Sequence, residues 1–332
     1  MFAYIIRRIL LMIPTLVLVS ILVFTIIELP PGDYFESYVA ELLAQGEKPD
    51  GEQIEFLRKE YGYDKHPVER YFYWVAGLVQ GDLGYSFEHD MSVNKVVGDR
   101  MFFTIMVSFV TILFTWMIAF PIGIYSAMNQ YSWGDYGLTF LGLLGIATPN
   151  FLLALLMMYG ANVWFGTSIG GLMSPEFVNQ PLSWGKFVSI LEHLWIPVVV
   201  IGTSGTAGMI RTLRANLLDE LQKQYYTTAR AKGLSPVKAM RKYPLRMALN
   251  FFVADIGGIL PQIISGAEIV AVVLSLETTG PLLISALQSQ DMYLAGSFLM
   301  FLALLTVIGV LISDILLGIL DPRIRLSGGS SK

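Results

Sequence analysis

Tyr225–Leu249 reads YYTTARAKGLSPVKAMRKYPLRMAL, a basic segment rich in helix formers between long apolar runs. Counting Lys223 just upstream, it carries seven Lys/Arg (the others are Arg230, Lys232, Lys238, Arg241, Lys242 and Arg246) and no acid. A polar segment of this size between membrane spans must work in water, against another surface. The small residues Thr228, Ala229 and Ala231 permit close approach to such a surface. Gly233 then permits a left-handed turn or a C-cap. Ser235-Pro236 reads as the start of a second helix, with the Ser235 side chain capping and Pro236 at the first helical position. Local chemistry alone therefore predicts a helix–Gly–helix elbow.

The surroundings define the class. The chain has 332 residues, of which 54% are hydrophobic and only 14% charged, with a mean hydropathy of +0.59. Soluble domains carry about 25% charged residues. Six apolar runs occur at 9–28, 102–127, 137–162, 194–210, 251–275 and 296–319. Each approaches the roughly 20 residues that a spanning helix needs. The expected fold class is an all-α integral membrane protein with six transmembrane helices. The fourth run is the shortest and contains Gly202, Gly205 and Gly208, which suit close helix packing or a locally opened backbone. The first run follows Arg7-Arg8. It is too long for a signal-peptide core and ends at Leu29-Pro30-Pro31-Gly32-Asp33, which is no cleavage site, so it reads as an uncleaved helix.

Lys/Arg bias sets the orientation. Residues 211–250 hold nine Lys/Arg against two acids, Asp219 and Glu220. Arg7 and Arg8 near the N-terminus and Arg323, Arg325 and Lys332 in the tail fall on the same side when there are six spans. That side is the cytoplasm, so both termini are expected inside. Residues 29–100, with fourteen acids against seven Lys/Arg, fall outside. They contain an amphipathic helix around Glu52–Tyr61 and the aromatic run Tyr71-Phe72-Tyr73-Trp74, which suits the membrane interface. This part is expected to form a cap on the outer face, joined by 163–193. The expected organisation is a first helix in 1–28, an extracytoplasmic segment 29–100, a five-helix core 101–321 containing the cytoplasmic loop 211–250, and a tail 322–332.

Several chemistries are excluded or left without support. The chain has no cysteine, and His66, His89 and His193 are too scattered for a metal cluster. No G-x-x-x-x-G-K-[ST] loop, H-E-x-x-H or G-x-S-x-G is present, so the chain is expected neither to be an enzyme nor to bind a cofactor itself. The basic loop lacks the interleaved aromatics of single-strand binders, which argues against nucleic acid. Asp255, Glu268 and Asp314 lie within the expected spans, where a charge costs roughly 2.5–3.5 kcal/mol. Glu268 is the deeper of the first two and suits either pathway lining or an interhelical hydrogen bond. Asp255 lies about one turn inside its span, where water or a partner can satisfy it. If both served an ion or proton path, the chain would be an ion-coupled secondary transporter.

The elbow also resembles the cytoplasmic "EAA" loop, roughly E-A-A-x-x-x-G, of bacterial ABC importer permeases. Gly233 matches the glycine and Ala229 the second alanine, while Thr227 and Thr228 stand at the first two positions. The variant T-A-R-A-K-G-L-S is similar to the peptide/nickel (oligopeptide, dipeptide) branch. Tyr4-Ile5-Ile6-Arg7-Arg8 through Ile13-Pro14-Thr15 to Pro31-Gly32-Asp33, then Gly81-Asp82-Leu83-Gly84-Tyr85-Ser86, Pro121-Ile122-Gly123-Ile124 and Asp321-Pro322-Arg323-Ile324-Arg325 resemble further signatures of that branch. The stretch 271–280 lacks the Glu and Pro common there, and the outer insert 34–60 is longer than in simple dipeptide permeases.

The resemblance implies a type I importer permease fold in the inner membrane, with a coupling helix seated in a groove on a cytoplasmic ATPase. Thr228, Ala229, Arg230, Lys232, Gly233, Leu234 and Ser235 are then the docking residues, with Arg241 and Lys242 able to pair with ATPase carboxylates or anionic lipid. It also implies a second homologous permease forming a heterodimer, two ATPase subunits holding ATP and Mg²⁺, and an extracytoplasmic solute-binding protein. Peptide is the implied cargo and oligosaccharide the alternative. ATP-driven closure of the ATPases would move the coupling helices and open the pathway outward.

Overall fold

The computed structural model describes residues 2–46, 51–60, 62–166, 170–178, 180–181 and 183–320. The expected features at 321–332, including Asp321-Pro322-Arg323 and the tail, lie outside them. Two compact units are formed. One is built mainly from Phe103–Glu277 and the end of the last helix from Ile308; the other comprises Ile6–Phe102 and Thr278–Val307.

The second unit starts with α1 (Phe2–Glu28). Leu10, Leu11, Leu18 and Leu22 stay exposed along it, as on a lipid-facing surface. Next come α2 (Tyr34–Ala44), α3 (Gly51–Glu60) and α4 (Pro67–Gln80). The His66 side chain caps α4 by accepting from the Val68 N–H, Pro67 occupies its first turn, and Gly81 ends it at φ +80°. The aromatic run 71–74 is therefore one helix with two faces. Phe72 and Tyr73 are exposed, whereas Trp74 is buried, its indole against Gly296. A side chain at 296 would stand 2.9 Å from that ring. Trp74 thus anchors this unit's core, and Phe72 and Tyr73 are the members of the run left free to meet an interface.

A two-residue hairpin, β1 (Tyr85–Ser86) with β2 (Met91–Ser92), follows. Buried Asp291 holds it by accepting from Ser86 Oγ at 2.7 Å and from the Glu88 N–H at 3.3 Å. Then comes α5 (Val93–Met128), which breaks helical geometry at Gly98.

In the first unit the expected third span is two helices, α6 (Trp133–Ala147) and α7 (Asn150–Phe165), bent by 99°. Thr148-Pro149 causes the break. Proline drives the residue before it out of the helical region, and Thr148 sits at φ −91°, ψ 121°. The expected shortest span is the longest helix, α8 (Trp184–Leu221). Ser183 caps it by accepting from the Lys186 N–H, and its polar ends extend it far past the apolar run 194–210. After α8 come α9 (Gln224–Ala231), α10 (Pro236–Lys242), α11 (Pro244–Ala254) and α12 (Ile256–Val273). Then α13 (Thr279–Gln288) belongs to the second unit, and α14 (Met292–Leu320) completes the described chain.

Among the described residues, α1, α5, α8 and α14 are each long and apolar enough to span a membrane, and the bent pair α6–α7 makes a fifth. The fifth expected run, 251–275, is occupied by the end of α11 and by α12, and the two part at Asp255.

Candidate coupling elbow and membrane cavity

The elbow is built as its sequence dictates, with one exception. α9 ends in a Schellman closure: the Leu234 N–H donates to the Ala229 carbonyl at 3.2 Å and the Gly233 N–H to that of Arg230 at 3.0 Å. Gly233 takes φ +85°, the left-handed region that a side chain strains. A Cβ there would meet nothing within 4 Å, so conformation alone demands the glycine. The Arg230 guanidinium donates to the Leu234 carbonyl at 2.6 Å, closing the turn a second time. Pro236 occupies the first turn of α10 as expected. Ser235, however, makes no side-chain cap; the first turn is held through its carbonyl, which accepts from the Ala239 N–H at 2.9 Å.

Burial divides the expected docking residues. Thr228, Arg230, Lys232 and Ser235 are exposed, Leu234 is half-buried, and Ala229 is only 6% exposed. The Ala229 methyl is thus turned into its own chain. Ala231, one of the small residues expected to allow close approach, is exposed, and so is Val237, which the sequence did not single out.

Behind the elbow, Ala127, Leu213, Leu217, Met240, Ala248 and Phe252 form a closed apolar core. Arg246 donates to the Leu320 carbonyl at 2.7 Å, tying α11 to the last turn of α14, where a cation is favoured. The Tyr225 hydroxyl donates to Glu220, and burial together with that bond pushes its phenol upward. Arg214, on α8 just before the elbow, grips Asp135 with two hydrogen bonds of 3.1 and 2.8 Å. Asp135 is 2% exposed and also accepts from the Tyr131 N–H. This pair fastens α8 to the start of α6. No local motif announces it, because its partners are 79 residues apart.

The same unit holds a half-open cavity of about 490 Å³, lined by apolar side chains such as Ile201, Met209 and Phe252 and by Thr111, Thr115, Asn150, Ser204, Thr212 and Asp255. Two helix breaks meet there: Asn150 follows the Pro149 bend, and Asp255 parts α11 from α12. The three glycines of α8 separate in role. Gly202 touches α5 closely, since a Cβ would stand 2.6 Å from the Phe114 ring. At Gly205 the nearest atom would be 3.8 Å away, and at Gly208 nothing lies within 4 Å. Close packing therefore explains only the first. Asp255 lines the cavity and Glu268, half-buried on α12, does not. The two acids are not brought together in one site.

Long apolar helices around a cavity, with a basic elbow at their ends, are the build of a membrane permease subunit. Residues 119–326 match the family described as "Binding-protein-dependent transport system inner membrane component", and residues 1–108 match its N-terminal region. The chain belongs to this family, the type I permease subunits of ABC transporters that work with an ATPase and a solute-binding protein. It is 33% identical over 329 residues to the oligopeptide transport system permease protein AppB of Bacillus subtilis (strain 168), covering 98% of this chain and 100% of that protein. A putative peptide transport system permease protein of Brucella abortus (strain 2308) is 29% identical over 98% of this chain and 99% of its own length. A peptidoglycan transport system permease protein of Agrobacterium fabrum is 28% identical over 97% and 98%. These similarities give the ion-coupled alternative no support.

Proposed function

We propose that this chain is the permease subunit of a peptide importer and that its elbow transmits ATPase movement to the membrane helices. The observation that carries the coupling role is Gly233: a φ of +85° in a closed Schellman turn makes α9 and α10 one short rigid body. Rigidity is what a docking unit needs, because a flexible loop would absorb a push and not relay it. The exposed face runs through Thr227, Thr228, Ala231, Lys232 and Val237, and Ala229 supports it from behind. Arg230 stiffens the turn, which leaves Lys232, Lys238, Arg241 and Lys242 to meet ATPase carboxylates or anionic lipid. The buried core under α10 and the Asp135–Arg214 pair would carry the movement into α8 and α6.

In this reading both termini lie in the cytoplasm, and a second homologous permease completes the pathway. Two ATPase subunits hold ATP and Mg²⁺, and a binding protein delivers cargo to the outer face. Peptide as cargo is supported by the descriptions of the Bacillus and Brucella relatives. The Agrobacterium relative's description keeps a glycan-bearing cargo as the second reading.

The test replaces Gly233. Gly233→Val should abolish ATPase co-purification and uptake while the protein still inserts, whereas Gly233→Asn, which tolerates the left-handed region, should retain both. Normal assembly and uptake in Gly233→Val would refute the docking role. A ligand screen on the cognate binding protein decides the cargo: tight binding of glycans and none of peptides would overturn the peptide assignment.

A further inference from the structure

We infer that the cavity between α5, α7, α8 and the α11–α12 break is a hydrated station on the cargo path that selects for cationic groups through Asp255. Its natural guest is a protonated amine, such as the free N-terminus of a peptide. The inference rests on the importer reading above and adds to it a site and a charge preference.

Three observations carry it. First, polar side chains gather on part of a wall that is otherwise apolar, with Ile201, Met209 and Phe252 beside them. Thr111, Thr115, Asn150, Ser204 and Thr212 all line it, and a space of about 490 Å³ with that many polar groups has room and partners for water or a polar guest. Second, the wall is not saturated by the chain itself. Thr111 is 1% exposed and its Oγ1 has no hydrogen-bond partner among the described residues, and the same holds for Nε1 of Trp116, which also lines the cavity. A buried polar atom left unpaired costs about 1–3 kcal/mol, so a guest or an opened state that satisfies these atoms is favoured. Third, the space is kept empty by residue choice. Gly205 and Gly208 face room that close packing would have filled, and glycine carries a helix-propensity cost of about 1 kcal/mol against alanine.

Charge then gives the selectivity. Asp255 is the only ionisable residue among the described ones lining the cavity. It is exposed, and no ion pair to it occurs among the described residues. Its backbone carbonyl accepts from the Gly258 and Ile259 N–H groups as α12 begins, while its carboxylate makes no cap there. A carboxylate unused by the fold and facing a hydrated space attracts cations and repels anions.

The absence of cysteine makes a direct test possible without background substitutions on this chain. Ser204→Cys is placed in the complete transporter in lipid vesicles. The thiol is then challenged with a trimethylammonium and a sulfonate methanethiosulfonate, with labelling read from the mass of this chain. After correction for the reagents' rates on a small thiol, the cation should react about tenfold faster, the ratio that an attraction of ~1.4 kcal/mol gives. Asp255→Asn should bring the corrected ratio close to one, and Asp255→Glu should keep it. Failure of both charged reagents, whether or not neutral N-ethylmaleimide labels, would overturn the inference, since the space would be lipid-filled or closed. So would a preference unchanged in Asp255→Asn. Peptide uptake by the same vesicles is scored separately: loss of import with the preference intact breaks the cargo assignment and leaves the site standing.

Discussion

Gly233 in the elbow and Gly208 in the cavity have equally open surroundings, yet they do opposite things. A Cβ would meet nothing within 4 Å at either position. Gly233 is required by its backbone, held at φ +85° to close a rigid turn. Gly208 lies inside a regular helix that any residue could continue, and what it supplies is empty space. One region is stiff and basic and lies between the ends of membrane helices; the other is a space walled by them, with unpaired polar groups on an otherwise apolar lining. In the proposed reading force enters at the first and cargo passes at the second, so a variant should damage one without the other.

The largest effect is expected from filling the cavity. Gly208→Leu should reduce import to background while the ATPases still co-purify, because the added side chain points into space and leaves the elbow untouched. Loss of ATPase assembly in that variant would break the separation of roles. Next comes the link between the regions. Arg214→Ala strands a buried Asp135 carboxylate, and removing one partner of a buried pair costs about 3–5 kcal/mol. The purified complex should show a clearly lowered thermal midpoint and weakened coupling of ATP hydrolysis to transport. A smaller change belongs to the elbow. Gly233→Ala places a side chain in the left-handed region at a cost of about 1–2 kcal/mol, so partial loss of ATPase co-purification is expected, milder than in Gly233→Val. The smallest is Ser235→Ala, which should alter stability by less than about 0.5 kcal/mol because no capping hydrogen bond is lost. A drop of about 1 kcal/mol, the usual cost of losing a cap, would show that Ser235 caps α10 after all.

The two regions also differ in how well they could be read from sequence. The elbow was legible because its determinants are contiguous: Gly233, Pro236 and the run of Lys/Arg lie within a few turns of one another. Even there burial was misjudged, since nothing local says that Ala229 faces inward while Ala231 faces out. Helix ends were misplaced where polar residues extended an apolar run, as at both ends of α8, and where Thr148-Pro149 broke one. The cavity was not legible, because Thr111, Asn150, Ser204 and Asp255 come from four separate segments. Proline and asparagine at 149–150 in an apolar run were the one signal that could have led to it. Asp255, weighed by depth alone, looked easily satisfied by water; its position at a helix break beside Gly258 is what turns it toward the cavity.

The coupling role is tested most directly by the single substitutions Ala231→Cys and Ala229→Cys in the assembled transporter, using a short thiol–amine cross-linker. Ala231 is exposed on the elbow and Ala229 is turned into the chain. The Ala231→Cys variant should form an adduct with an ATPase subunit whose yield changes on ATP addition, and the Ala229→Cys variant should form none. An active complex in which only Ala229→Cys cross-links, or in which neither variant reaches an ATPase, would contradict the elbow as the coupling element.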